Sequence, residues 1–273
     1  MKRNDEQDII HDCIRFERDE NESISIITKL PADINDLNEI LGKTNETEVR
    51  EANDKKMKLL NERQKKDIYQ EFLKMRKAGY IVHINELSRE EQEIINKSPS
   101  KYYIAIAPAF KTCSDSTPTR IALDGSFPGC HGKSLNEILP AGKLEVNIRR
   151  IFRNLRTRKN LMITDIRKFY NSLKLDKDYL PFQLILFKPN EEYQGEHETY
   201  VLRHLFYGIK SAGSLCEEAI NKIIEEEKCQ TCGKDETCNN MSHLLKYILS
   251  DCRYVDDITA VSYTHLRAHE TTP

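Results

Sequence analysis

A chain of 273 residues accommodates one large domain or two small ones, and with 38% hydrophobic residues it lies outside the low-hydrophobicity, high-net-charge profile of a disordered chain. Lys+Arg 42 against Asp+Glu 44 gives a formal net charge of -2, so overall charge does not mark a nucleic-acid binder, and any such surface must arise by local clustering. No apolar run approaches the roughly 18 residues that span a bilayer, no hydrophobic core follows Met1-Lys-Arg-Asn-Asp-Glu6 as a secretory signal requires, and eight cysteines in a chain of this length do not make a disulfide scaffold. The expectation is an intracellular, reduced protein without membrane contact.

In chain order, Asn45 to Lys77 reads as charged helix with apolar positions Leu59, Leu60, Tyr69, Phe72 and Leu73, stopped at Gly79. Tyr80 to Ile84 reads as a short strand. Ser88-Arg-Glu-Glu91 reads as a capping box opening a second helix, because a Ser hydroxyl and a Glu carboxylate can satisfy each other's end amides. Tyr102 to Ile106 and Thr119 to Leu123 are strand-like, with Pro, Gly and Ser turns around them. Asn147 to Lys159 reads as an amphipathic helix: Ile148, Ile151, Phe152 and Leu155 recur at i, i+3, i+4, i+7, and Arg149, Arg150, Arg153 and Arg156 fall largely on other faces. Leu161 to Thr164 is a buried-type strand ending in Asp165. Phe182 to Lys188 and Thr199 to Phe206 are strand candidates about a polar turn, and Leu215 to Glu226 is a helix with Cys216, Ala219, Ile220 and Ile223 on one side. Arg253 to Ile258 has the form of a hairpin with acids at its tip. This order of elements implies an α+β fold rather than a doubly wound sheet.

The chemistry-bearing residues are carboxylates at strand ends: Asp165, and Asp256 with Asp257 in the hairpin. Nucleotidyl transfer uses two divalent ions about 3.5–4 Å apart, and Mg²⁺ takes a few hard carboxylate oxygens and completes its shell with water and phosphate. Carboxylates from two adjacent strands meet that need. Taken alone, Asp256-Asp257 reads first as a solvated turn, since paired acids are common there.

Tyr254-Val-Asp-Asp257 resembles motif C of reverse transcriptases, Thr164-Asp-Ile-Arg-Lys-Phe-Tyr170 resembles their motif A, and Leu205-Phe-Tyr-Gly-Ile-Lys-Ser-Ala212 resembles motif B, in matching order and spacing. Tyr102-Tyr-Ile-Ala-Ile-Ala-Pro-Ala-Phe110, Thr119-Arg-Ile-Ala-Leu-Asp-Gly-Ser126 and Lys133-Ser-Leu-Asn-Glu-Ile-Leu139 look like the fingers of BEL/Pao long-terminal-repeat retrotransposons. The resemblance runs from about Phe16 to Ala260. It departs at Asp124-Gly-Ser126, where the family usually has Asp-Ala-Ser, and in a cysteine-bearing segment between motifs B and C.

The resemblance implies a right-hand polymerase without its thumb: fingers over 1–133 with 174–200, and palm over 134–173 with 201–260, its antiparallel sheet packed on helices. It implies Mg²⁺, with Mn²⁺ as substitute, on Asp165, Asp256 and Asp257, and a backbone carbonyl from Ile166. Arg120 matches the arginine that grips the incoming triphosphate, where a planar guanidinium bonds phosphate oxygens bidentately. Tyr170 falls at the steric gate that excludes a ribose 2′-hydroxyl. Phe206, Gly208 and Ser211 match the turn that supports template and nucleotide. The implied partners are an RNA or DNA template with primer, deoxynucleoside triphosphates, and the protease, RNase H and integrase of the same polyprotein, in the cytoplasm within a virus-like particle. A fragment lacking the thumb is expected to be inactive or nearly so by itself. A non-enzymatic relic, a nucleic-acid-binding remnant, or an intron- or retron-type palm polymerase are the alternatives.

Other signals are weaker. Cys229, Cys232, Cys238 and His243 have zinc-finger-like spacing, C-x2-C-x5-C-x4-H, but a ligand order unlike a retroviral knuckle, and an ordinary cysteine-bearing surface loop fits better than a Zn²⁺ site. The arginines of the 147–159 helix suit either a solvated face or template phosphates. Asp124-Gly-Ser126 has the wrong residue order for an aspartic protease. Val261-Ser-Tyr-Thr-His-Leu-Arg-Ala-His-Glu-Thr271 resembles a translated sequencing-library adapter, which sets aside 261–273, including the i, i+4 pair His265 and His269. The natural chain is then expected to continue past Ala260.

Overall fold

A computed structural model of the chain describes residues 5–21, 23–110, 119–143, 148–156, 160–190, 192–226, 247–250, 252–254 and 257–262. The elements are α1 (Asp5–Asp12), β1 (Ile14–Arg18), β2 (Ile24–Thr28), α2 (Ile34–Leu41), α3 (Glu46–Lys58), α4 (Glu62–Lys77), β3 (Ile81–His83), α5 (Arg89–Lys97), β4 (Ala105–Phe110), β5 (Thr119–Asp124) and α6 (Leu135–Ile138). They continue with α7 (Ile148–Arg156), β6 (Asn160–Asp165), β7 (Leu173–Leu175), β8 (Leu184–Phe187), β9 (Glu198–Leu202), α8 (Ala212–Glu226), β10 (Arg253–Tyr254) and β11 (Asp257–Ser262). The fold is mixed α+β with small, mostly antiparallel sheets. Among the described residues no helix is long and apolar enough to cross a membrane. The chain divides into two compact units, Met1–Gly142 with Tyr170–Leu215, and Lys143–Phe169 with Cys216–Pro273.

The larger unit holds sheets ordered β1-β2-β7, β3-β9-β8 and β4-β5. Its core centres on β8, where Leu184, Ile185, Leu186 and Phe187 are all buried, so the unbroken apolar run reflects a strand covered on both faces. Phe72 of α4 stacks on Phe187 at 4.2 Å between ring centroids and meets Tyr200 edge-on at 4.9 Å. The 45–77 region forms two helices rather than one. Leu59 caps the end of α3, and Asn61 starts α4 with a capping box to Gln64. The break turns Leu59 outward to 85% exposure, and Leu73 is also exposed; α3 and α4 instead bury Val49, Ile68 and Phe72. The capping box at Ser88 and Glu91 forms as the sequence suggests. Strand β4 begins at Ala105, while Tyr103 makes an isolated bridge to Leu184, and β9 ends at Leu202. The β1–β2 hairpin was not anticipated, although Ile14-Arg-Phe-Glu-Arg18 alternates and Asp19 accepts the amides of Asn21 and Ser23 at its turn. β2 then runs parallel to β7.

Two buried carboxamides join these pieces. Asn45 stands at the N-cap of α3 but makes no cap bond with its side chain. Its Nδ2 donates to the carbonyls of Tyr103 (3.0 Å) and Pro128 (3.1 Å), and its Oδ1 accepts the Tyr103 amide at 2.8 Å. Two turns along, Asn53 accepts the Ile106 amide at 3.0 Å and donates to the Leu186 carbonyl at 3.1 Å, linking β4 to β8 through one side chain. Asn53→Ala is expected to destabilise the larger unit by about 2–4 kcal/mol, because it orphans a buried donor and a buried acceptor. A urea-denaturation midpoint within error of wild type would contradict this.

His204 bridges to Lys174 of β7 and packs edge-on against Tyr80 at 5.1 Å. Burial, with Lys174 and Arg203 adding to it, pushes the imidazole down to about 4 against a partial offset from an Asn171 backbone hydrogen bond. Because the folded value lies below the unfolded one, the unfolded chain takes up the proton first on acidification. Stability is therefore full above about pH 6.5 and falls as pH drops toward 4, by at most about 3 kcal/mol. The stability difference between wild type and His204→Gln should shrink over that interval and stay level below it. Parallel pH profiles for the two proteins would refute the assignment.

Candidate active site

In the smaller unit the sheet order is β10-β11-β6, with antiparallel pairing throughout. Asp165 is the last residue of β6 and Asp257 the first of β11, and the register sets them directly opposite each other. Opposed side chains on neighbouring strands start from Cβ atoms about 4.5–5.5 Å apart, and like charges so placed are unfavourable without a counter-charge. Both aspartates are exposed, which leaves their oxygens open to solvent and to a cation. Hard carboxylate donors with room for water and phosphate fit Mg²⁺ in kind. Asp256 lies outside the described residues, as do Cys229, Cys232, Cys238 and His243; among the described residues no group of three or more His, Cys, Asp or Glu forms a metal cluster. Strand β11 runs on through Val261 and Ser262, which pair with Leu161 and Asn160, so these two residues are sheet partners although the adapter-like stretch was expected to begin at Val261. The rest of that stretch lies outside the described residues.

The hairpin is anchored from behind. Arg253, immediately before Tyr254, is buried and forms a bidentate pair with Glu217 of α8, Nη1 to Oε2 and Nη2 to Oε1, each at 2.7 Å. Its Nε donates to the Leu249 carbonyl at 3.2 Å. The planar fork fixes the orientation of the arginine as well as its position. Helix α7 packs on β10 and β11. After Asp165 the chain passes the half-buried Ile166 and turns through Lys168, the one non-glycine among the described residues with positive φ, at 56°. Phe169 is buried, and its carbonyl accepts the Cys216 thiol at 3.8 Å.

In the larger unit, Tyr170 opens a 3-10 turn and its ring lies 4.5 Å from that of Tyr207, tilted by 53°. Phe206 and Ser211 are buried, and the Ser211 hydroxyl donates to the Pro140 carbonyl. Gly208 has φ 112°, and a Cβ there would fall 1.7 Å from the Leu123 carbonyl oxygen at the end of β5, so no other residue fits without moving the backbone. A Cβ on Gly125 would lie 2.7 Å from the Gly208 carbonyl oxygen, so the two turns approach closely at their backbones. Asn136 locks the two turns together: its Nδ2 donates to Gly208 O (2.8 Å) and Ser126 Oγ (3.0 Å), and its Oδ1 accepts the Lys210 amide at 2.8 Å. These residues line an open surface depression with Ser134, Glu137 and Ile209. Arg120 is exposed on β5, opposite Ala109.

The site residues named from sequence thus fall into an acidic pair in the smaller unit and a turn around Gly208 in the larger. Asn136, Tyr207, Glu217 and Arg253 were not singled out. Glu217 lies off the 216, 219, 220, 223 register of α8 and next to a second glutamate, so the sequence carries no signal that sets it apart.

Removing one partner of a buried ion pair leaves an uncompensated charge. Glu217→Ala or Arg253→Ala is expected to cost the smaller unit about 3–5 kcal/mol, and Glu217→Leu combined with Arg253→Met to recover most of it. Additive losses in that double-mutant cycle would show the two side chains to be uncoupled. Compared with known protein families and with curated proteins, the chain matches no family model and no curated protein.

Proposed function

We propose that the chain is the fingers-and-palm portion of an RNA-directed DNA polymerase of the BEL/Pao retrotransposon type. The observation that carries the reading is the register that sets Asp165 opposite Asp257 at one exposed sheet end, in a chain whose motifs resemble those of reverse transcriptases in order and spacing. Two like charges so opposed gain most from a shared divalent cation.

On this reading Asp165, Asp256 and Asp257 would hold the ions and Ile166 would add its carbonyl. Bound divalent ions lower the pKa of a primer 3′-hydroxyl and neutralise the leaving pyrophosphate. The primer oxygen forms the new bond to the α-phosphorus of a deoxynucleoside triphosphate as the bond to pyrophosphate breaks. No protein side chain is needed as general base. Arg120 grips the triphosphate, and Tyr170, braced by Tyr207, blocks a 2′-hydroxyl. The Gly208 turn, fixed by Leu123 and Asn136, supports the template and the nucleotide. Glu217 and Arg253 hold the hairpin in place.

The test is affinity cleavage, which needs no turnover. Fe²⁺ substituted for Mg²⁺ in the presence of ascorbate and peroxide should cut the backbone beside residues 165 and 257. Excess Mg²⁺ should protect, and Asp165→Asn should abolish both cuts. Scission elsewhere, or scission that Asp165→Asn leaves unchanged, would sink the polymerase reading and favour a non-catalytic nucleic-acid-binding remnant.

A further inference from the structure

Helix α7 carries a surface that the acidic site does not use. Arg149, Arg153 and Arg156 are exposed and recur at i, i+4 and i+7. Phe152, 55% exposed, falls between them. At about 100° per residue these four side chains share an arc of roughly 100°. Ile151 points the opposite way and is buried, on the side where α7 packs against β10 and β11. The helix contains no acidic residue, and none of the three arginines has an ion-pair partner among the described residues. The side chains of Arg150 and Leu155 lie outside the described residues.

Exposed guanidiniums flanking an exposed aromatic ring match the two faces of a nucleic-acid single strand. Phosphates accept from arginine, and an unpaired base stacks on an aromatic ring whatever its sequence. A base inside a duplex cannot reach the ring. A membrane surface is a poor fit, because an interfacial helix must offer its apolar face to lipid, and here Ile151 is turned to the sheet while Phe152 stands among three arginines. We infer that the Arg149–Phe152–Arg153–Arg156 face of α7 binds single-stranded nucleic acid, with phosphates on the arginines and a base on Phe152. The surface shares its ligand class with the polymerase reading but none of its residues, and it requires neither Asp165 nor a metal.

The experiment is fluorescence anisotropy of the full chain with labelled oligo(dT) and oligo(U) in EDTA across a salt series. Wild type should bind, with affinity falling as salt rises. Arg149→Ala/Arg153→Ala/Arg156→Ala should flatten the log–log salt slope by about 2, from about 0.7 per lost phosphate contact, and weaken binding at low salt at least tenfold. Phe152→Leu should weaken binding about tenfold and leave the slope unchanged, a split that general loss of structure does not produce. Replacing the three arginines with lysine should restore the slope. Wild-type slope and affinity in the triple alanine variant would overturn the inference. So would equal binding of a duplex together with an inert Phe152→Leu, or capture of polyglutamate in place of either oligonucleotide. If iron cleavage fails while this binding behaves as described, the polymerase reading falls and the binding face stands. If cleavage succeeds and the binding does not, the acidic site stands and the binding face falls.

Discussion

Side-chain amides standing in for missing backbone partners hold the larger unit together. Its sheets are short, and short sheets leave peptide groups at their ends with no neighbouring strand. Asn45 and Asn53, carried on one helix, supply a donor and an acceptor each to the backbone around Tyr103, Ile106 and Leu186. Asn136 does the same for Gly208 and Lys210. A carboxamide presents the same pair of groups as a peptide bond, so each asparagine acts like a fragment of an extra strand. The arrangement is directional: aspartate lacks the donor and leucine lacks both.

The acidic pair depends on a different kind of support. The six-residue pairing of β11 with β6 sets Asp165 against Asp257, but β10, two residues long, adds little to hold the hairpin against the repulsion between them. The buried Arg253–Glu217 pair supplies the restraint from outside the sheet, and α7 covers the same strands. The larger unit solves its own positioning problem by close approach, with Gly208 pressed onto Leu123. One unit relies on charge pairing and the other on the absence of a side chain.

Much of the element pattern was legible from the residues. The apolar run of 184–187, the capping box at Ser88, the arginine-rich helix and the strand ending at Asp165 all announce themselves by period or by end chemistry. The break between α3 and α4 was harder, because Leu59 and Leu60 extend an apolar pattern that Asn61 interrupts by capping a new helix. The opposition of Asp165 and Asp257 follows once the two strands are taken as neighbours, but Asn136, Tyr207 and the Arg253–Glu217 pair depend on distant contacts. Arg253 and Glu217 have no spacing that links them, and an asparagine that bonds a remote backbone looks like any turn residue.

The parallel pairing of β2 with β7 bears on how the chain assembles. Ile26 meets Leu173, a closure of about 150 residues, and such non-local contacts are reached late because loop entropy must be overcome before they reward it. On its other edge β7 bonds to the backbone at Arg203 and Leu205. Strand β7 is therefore clamped between a hairpin that leaves the ribosome early and a stretch made far later. The β1–β2 hairpin must wait, unpaired on one edge, until most of the larger unit has been synthesised. That waiting edge belongs to β2, Ile24-Ser-Ile-Ile-Thr28, which carries no charge, so until β7 arrives it is open to pairing with the wrong chain.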